Sequence, residues 1–137
     1  NPESAKDAIL GADIVIGATT ASQPVIFYEW LKEGCFVCSL GVGEVENAAY
    51  GKVDKFIVDD WEQIQDLSDM KDLVDNGILR NNRPYAQLDE IVASKKTGRE
   101  SQKEKILVRT EGLVTQDVAI AHWVYEKAKE MNMGRAL

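Results

Sequence analysis

The sequence predicts an α/β domain, part of a doubly wound parallel sheet of about four strands. Three observations carry this. First, Ile14-Val-Ile16 is a near-continuous apolar run, the habit of a parallel strand buried on both faces. Second, similar short runs recur at Phe36–Leu40, Lys55–Val58 and Ile106–Val108. Third, the stretches between them carry helical spacing and cap residues, and strands alternating with helices imply right-handed parallel crossovers. The sequence has no internal repeat and no low-complexity tract.

The elements follow in order. Pro2 to Leu10 reads as a helix: Pro2 suits a first turn, Glu3 complements the N-terminal dipole, and Gly11 can adopt the left-handed conformation that ends it. The first strand then runs through Ile14-Val-Ile16 and ends in small and hydroxyl residues up to Thr20. Pro24 begins a short helical stretch through Trp30, Leu31 and Lys32, stopped by Gly34. The second strand ends in Gly41-Val-Gly43, and the third in Asp59-Asp60. Asp60 is a candidate cap for a helix from Trp61 to about Leu67. A further helical piece spans about Met70 to Val74 and stops at Gly77, and Asn81 to Pro84 is a loop. Ala86 to Ser94 is helical, with Leu88, Ile91 and Val92 on one face. Lys95 to Lys105 is a charged connection to the fourth strand. The last helix is the longest: Thr115 is its expected cap, Asp117 lies in its first turn, and Val114, Val118, Ala121, Tyr125 and Ala128 form one apolar stripe. Ile120 and Trp123 project from the other side. The stripe is expected to pack on the domain's own sheet, and the second side on another domain or subunit.

Bulk properties bound the function. The 137 residues make one domain, long enough to bury a core. A net charge of −7, from 23 acidic and 16 basic residues, argues against nucleic acid as the main partner. It does not exclude a dinucleotide, which is held mostly by backbone amides and a helix N-terminus. No run approaches the roughly 18 apolar residues of a membrane span, so no membrane partner is expected. Two cysteines make a disulfide framework unexpected and point to a reducing, cytoplasmic compartment.

The candidate functional residues sit at strand ends, where an α/β sheet meets its ligand. Ala18, Thr19, Thr20 and Ser22 follow the first strand; they line a cofactor cleft or form a hydrophilic turn. Gly41-Val-Gly43-Glu44 follows the second. Its glycines allow close approach of a ligand, and Glu44 is either a general base at the mouth of the cleft or a solvated turn residue. Arg109-Thr110-Glu111-Gly112 follows the last strand, and Thr110 either faces the cofactor or belongs to a capping turn. Cys35 and Cys38 have redox-motif spacing, but residues three apart in a strand point to opposite faces, so they are expected to be two separate packing residues. His122 is the only histidine and has no triad or zinc-ligand partners in the pattern. No metal site is expected. The acidic run from Asp59 to Asp75 reads mostly as a solvated helix face.

Several segments together resemble the ornithine cyclodeaminase/μ-crystallin family. They are Ala12-Asp-Ile-Val-Ile-Gly-Ala-Thr19, Pro24-Val-Ile26 with Trp30-Leu-Lys-Glu-Gly34, and Val58-Asp-Asp-Trp-Glu-Gln63. Most specific are Leu88-Asp-Glu-Ile-Val-Ala-Ser-Lys-Lys-Thr-Gly98 and Gly112-Leu-Val-Thr-Gln-Asp-Val-Ala119 followed by Val124-Tyr-Glu-Lys-Ala-Lys129. The resemblance covers nearly the whole chain and implies a Rossmann-like sheet binding NAD or NADP. A sheet of that kind normally has about six strands and a G-x-G-x-x-G loop. The 137 residues contain no such loop and begin on Asn1. The chain is therefore expected to be a fragment: residues 1–137 form the C-terminal portion of the nucleotide-binding domain, lacking its first strand–glycine loop–helix unit, and the substrate domain is absent.

The resemblance further implies a homodimeric enzyme acting on a small-molecule amino acid or cyclic imine by hydride transfer. The leading expectation is an ornithine cyclodeaminase-like reaction, ornithine to proline plus ammonia. Alanine dehydrogenase and ketimine reductase chemistry are the alternatives, with a non-catalytic crystallin-like binding or dimerisation module beside them. Ala18, Thr19, Thr20, Leu40, Gly41 and Thr110 carry over as cofactor-binding positions. The acidic base of the cyclodeaminases falls on Gly43 or, with a shift of one residue, on Glu44. The chain departs from the family's pattern there, and this leaves plain reduction or oxidation open. The chain alone is expected to be inactive.

Overall fold

The computed structural model describes residues 2–135. Five parallel strands form one sheet in the order β1-β2-β5-β3-β4. They are β1 (Ile14–Gly17), β2 (Phe36–Ser39), β3 (Lys55–Val58), β4 (Ala86–Gln87) and β5 (Ile106–Arg109). The helices are α1 (Ala5–Ile9), α2 (Asn47–Lys52), α3 (Trp61–Ile64), α4 (Ser68–Asp75), α5 (Leu88–Val92) and α6 (Val114–Glu130).

Register divides the side chains between two faces. Val15, Val37, Leu107 and Phe56 share one row. With Ile9, Ile26, Leu31, Ala49, Tyr50, Ile64, Met70 and Leu73 they make the main core, under α1 to α4. On the opposite face Ile57, Ile106 and Val108 pack against Leu88 and Ile91 of α5. Helices therefore cover both faces, as a doubly wound sheet requires.

Local chemistry sets the element ends. Ser4 caps α1, its hydroxyl accepting from the Asp7 amide at 3.2 Å. Asp60 caps α3 through the Gln63 amide at 3.1 Å, as its position predicts. Gly34 holds φ +77°, and a Cβ there would strike the Gln102 carbonyl oxygen, so only glycine lets the chain enter β2 alongside that connection. Lys55, at the start of β3, donates to Gly98 O at 2.5 Å and pairs with Glu100 and Glu104, which fastens the 95–105 connection to the sheet.

Several expectations change. The sheet has five strands rather than about four, because Ala86 and Gln87 run beside β3 before α5 begins. The stretch after Pro24 is only one 3-10 turn, Tyr28–Trp30, since Ile26 is paired with Val45 instead. The helix expected from Trp61 to Leu67 closes after a single turn, because extended Leu67 starts α4. Helix α2 has no apolar stripe to announce it. Its burial rests on Ala49 and Tyr50.

Two corrections concern packing. Strand β1 is not buried on both faces: Ile14 and Ile16 are 63% and 69% exposed, because no helix among the described residues covers that side of the strand. Nor does α6 lie on the sheet. Its expected stripe is exposed except for half-buried Ala128, with Val118 at 62% and Tyr125 at 60%, and Trp123 on the other side is 60% exposed. The helix starts at Val114, preceded by Leu113 with no side-chain cap, rather than behind a Thr115 cap.

Candidate functional site

The last register row brings Gly17, Ser39, Arg109 and Val58 side by side at the C-terminal edge of the sheet. The loops beyond them are drawn together by the same ladder: the Leu40 amide donates to Gly17 O at 2.9 Å, and the Thr110 amide to Ser39 O at 3.0 Å. Ala18, Thr19, Thr20, Leu40, Gly41 and Thr110 therefore line one rim across β1, β2 and β5. Ala18, Thr19 and Thr20 are exposed; Gly41 and Thr110 are half-buried. Leu40 and Val42 leave about half their surface open.

Glu44 is not at the mouth of this cleft, nor is it a solvated turn residue. It is fully buried beneath the rim. Its Oε1 accepts from the Thr19 amide. Its Oε2 accepts from the Gly41 amide at 2.8 Å and from Ser39 Oγ at 3.0 Å. Burial alone would push its carboxyl pKa up. The donors from Thr19, Gly41 and Ser39 outweigh it and hold the pKa below the ordinary carboxylate range. A general base needs a lone pair that reaches the reacting proton. Here both oxygens are engaged by the protein.

The third side of the rim is fixed by Asp59. Its Oδ2 accepts from the amides of Glu111 and Gly112 at 2.9 and 2.7 Å, and Oδ1 from Asp60 at 2.9 Å. Beside it Arg109 is fully buried, with Nη2 on Glu111 at 2.9 Å, Nε on Asp69 at 3.4 Å, and Nη1 donating to Thr110 O. Burial works against the guanidinium charge, but Glu111 and Asp69 prevail and its pKa is raised.

Ser39, Asp59 and Arg109 were not singled out by the sequence as residues that shape the site. The available signal was that each of three strands gives way to a polar residue just where the ligand edge begins. Asp59 and Asp69 also depart from the solvated face expected for the acidic run.

The remaining motifs stay outside the site. Cys35 and Cys38 are free, on opposite faces of β2, and burial raises both thiol pKa values. His122 is exposed on α6. Among the described residues, no group of three His, Cys, Asp or Glu side chains stands close enough to hold a metal, and no helix is long and apolar enough to cross a membrane. A cavity of about 400 Å³ lies between α2, α3 and the 79–87 segment, and shares no residue with the rim.

The rim offers exposed threonine hydroxyls and the half-open side chains of Leu40 and Val42. The pyrophosphate of a dinucleotide needs a glycine-rich loop at a helix N-terminus, and none of the 137 residues supplies it.

The sequence profile of the ornithine cyclodeaminase/mu-crystallin family matches residues 2–132. N-((2S)-2-amino-2-carboxyethyl)-L-glutamate dehydrogenase of Staphylococcus aureus is 32% identical over 136 residues, which are 98% of this chain and 40% of that protein. The solved structure of Thermococcus litoralis Delta(1)-pyrroline-2-carboxylate reductase, in complex with NADH and L-proline, superposes with a TM-score of 0.88 at 34% identity. It covers 98% of this chain and 43% of that one. An archaeal alanine dehydrogenase dimer with bound NAD gives 0.80 at 31% identity, with 98% and 43% covered. The chain thus spans about 40% of the length of the relatives it matches, with the sheet of a Rossmann-like domain. It belongs to the ornithine cyclodeaminase/mu-crystallin family.

Proposed function

We propose that this chain supplies the nicotinamide-side half of an NAD-type cofactor site in an oxidoreductase acting on amino acids or cyclic imines. One observation carries the reading: the strand register brings Thr19, Leu40 and Thr110 to a single rim, with loops braced from beneath by Glu44 and Asp59. The bound nicotinamide would supply the hydride donor or acceptor. Thr19, Thr20 and Thr110 would hold the ribose and carboxamide, while Leu40 and Val42 would shield one side of the ring from water. A closed, dry face strengthens the electrostatic interactions made at the other.

Within the family the geometry favours plain reduction or oxidation over ornithine cyclodeamination. Cyclodeamination calls for an acid–base carboxylate beside the second strand. Gly43 has no side chain to offer, and the Glu44 carboxylate is enclosed. The residues that bind the substrate would come from a separate domain. The bare side of β1 and the unpartnered α6 give such a domain, or a second copy in a homodimer, apolar surface to cover. A cytoplasmic location accords with two free cysteines. A non-catalytic, crystallin-like role is the second reading; the same uncovered surfaces favour it through dimerisation.

The test is turnover by the full-length gene product that contains this chain. NADH and NADPH are each followed by absorbance with a five-membered cyclic imine, and NAD and NADP with alanine, proline and ornithine. Reduction of the imine or oxidation of an amino acid supports the reading. Dinucleotide binding without turnover favours the crystallin-like role. Ammonia release from ornithine with no net change in cofactor would replace it with cyclodeamination.

A further inference from the structure

We propose that Glu44 is a positioning residue: a buried carboxylate that ties the loop after β1 to the loop after β2 and so sets the gap into which the nicotinamide end fits. The proposal rests on the cofactor reading above.

The tie is built from several sides. One oxygen accepts from Thr19 and the other from Gly41 and Ser39, so a single side chain bridges residues from both loops and the last residue of β2. The Glu44 carbonyl accepts from the amides of Val25 and Ile26 at 2.8 and 3.0 Å, which fastens the far end of the first loop to the same residue. Two glycines make room for it. A Cβ on Gly17 would lie 2.7 Å from Glu44 Oε2, and a Cβ on Gly41 would lie 2.5 Å from its Cδ. Both distances are too short for any real contact. Both strand ends are therefore shaped around this carboxylate.

The chemistry of the site makes the carboxylate a brace. A carboxylate is acceptor-only, and here it meets three donors. Glutamine in its place keeps the shape but turns one oxygen into an NH2 group. That group must then face the Thr19 or the Gly41 amide, donor against donor. One of the two loops is released while the core beneath is unchanged. Because Glu44 is fully buried, its loss acts through Thr19 and Gly41 rather than through a proton taken from substrate.

The experiment uses the full-length gene product and its E44Q, E44D and G41A variants. Affinity for NADH is read by fluorescence titration, kcat and KM by turnover across pH, and loop order by hydrogen exchange at the amides of Thr19 and Gly41. The expected result for E44Q is NADH binding weakened about tenfold or more, faster exchange at one or both amides, and a kcat–pH profile of wild-type shape. E44D should recover part of the affinity, since it restores an acceptor but falls short by one methylene. G41A should weaken binding as E44Q does, having pushed the same carboxylate from the opposite side. Wild-type NADH affinity in E44Q together with loss of one limb of the pH profile would overturn the proposal and make Glu44 a base. Unchanged exchange and affinity in folded E44Q would overturn it as well. Failure of the wild type to bind any nicotinamide dinucleotide would instead defeat the cofactor reading on which it rests.

Discussion

Replacing Asp59 by alanine removes the brace on the third side of the rim. Three backbone amides, those of Asp60, Glu111 and Gly112, lose their acceptor together. Hydrogen bonds onto a charged group contribute about 1.5–3 kcal/mol each when buried. Glu111 and Gly112 are exposed residues, so their freed amides recover part of this from water. The net cost is then about 3 kcal/mol. For a domain of this size that is a fall of about 10 °C in Tm. Asp60→Ala is the internal control. It removes only the α3 cap, worth about 1 kcal/mol, and leaves the turn at Thr110 in place. Circular dichroism melts of both variants and of the wild type give the comparison. Hydrogen exchange at Glu111 and Gly112 should quicken in D59A alone. If D59A melted no lower than D60A and both amides kept their protection, Asp59 would not hold the Thr110 turn, and the bracing of the rim would be wrong on that side.

Further outcomes follow from other contacts. Gly34→Ala demands a left-handed alanine and a clash with Gln102 O, and should destabilise by about 3 kcal/mol or more in chemical denaturation. Lys55→Met leaves Glu100 and Glu104 without their cation, and should cost about 2–3 kcal/mol and loosen residues 95–105 to proteolysis. Glu44 has its folded pKa below the ordinary value, so its stabilisation is fully present above about pH 4.5 and is lost as pH falls through the folded pKa. Urea titrations should therefore show the stability gap between wild type and E44Q narrowing below that pH. A gap that stayed constant from pH 7 downward would mean that the Glu44 charge makes no contribution. No side chain of helix α6 is buried among the described residues, and a lone helix of this length is marginal in water. In the isolated chain its amides should exchange rapidly, and they should slow markedly in the full-length protein.

Periodicity and turn chemistry made most of the sheet legible. Four apolar runs, each closed by small or polar residues, gave four strands nearly to the residue. The fifth escaped because two residues, Ala86 and Gln87, are too few to show alternation and run straight into a helical pattern. Helix α2 escaped because it is anchored by one alanine and one tyrosine rather than by a stripe. The rim residues were legible from their place after strands. The role of Glu44 was not, because its meaning depends on Thr19 and Gly41 arriving on either side of it, and that is a matter of strand order. Hydropathy likewise places Ile14, Ile16 and the stripe of α6 in a core. Whether anything covers them depends on what packs against them, which a local pattern does not contain.

In the function proposed above, Thr19, Leu40 and Thr110 border one end of a nicotinamide dinucleotide. A crystal structure of the full-length gene product grown with NADH tests it directly. The expected result is the nicotinamide ring over Leu40, ribose or carboxamide oxygens within hydrogen-bonding distance of Thr19 and Thr110, and Glu44 still enclosed below. A nicotinamide bound away from this rim, or a Glu44 carboxylate turned out to touch it, would overturn this placement of the cofactor.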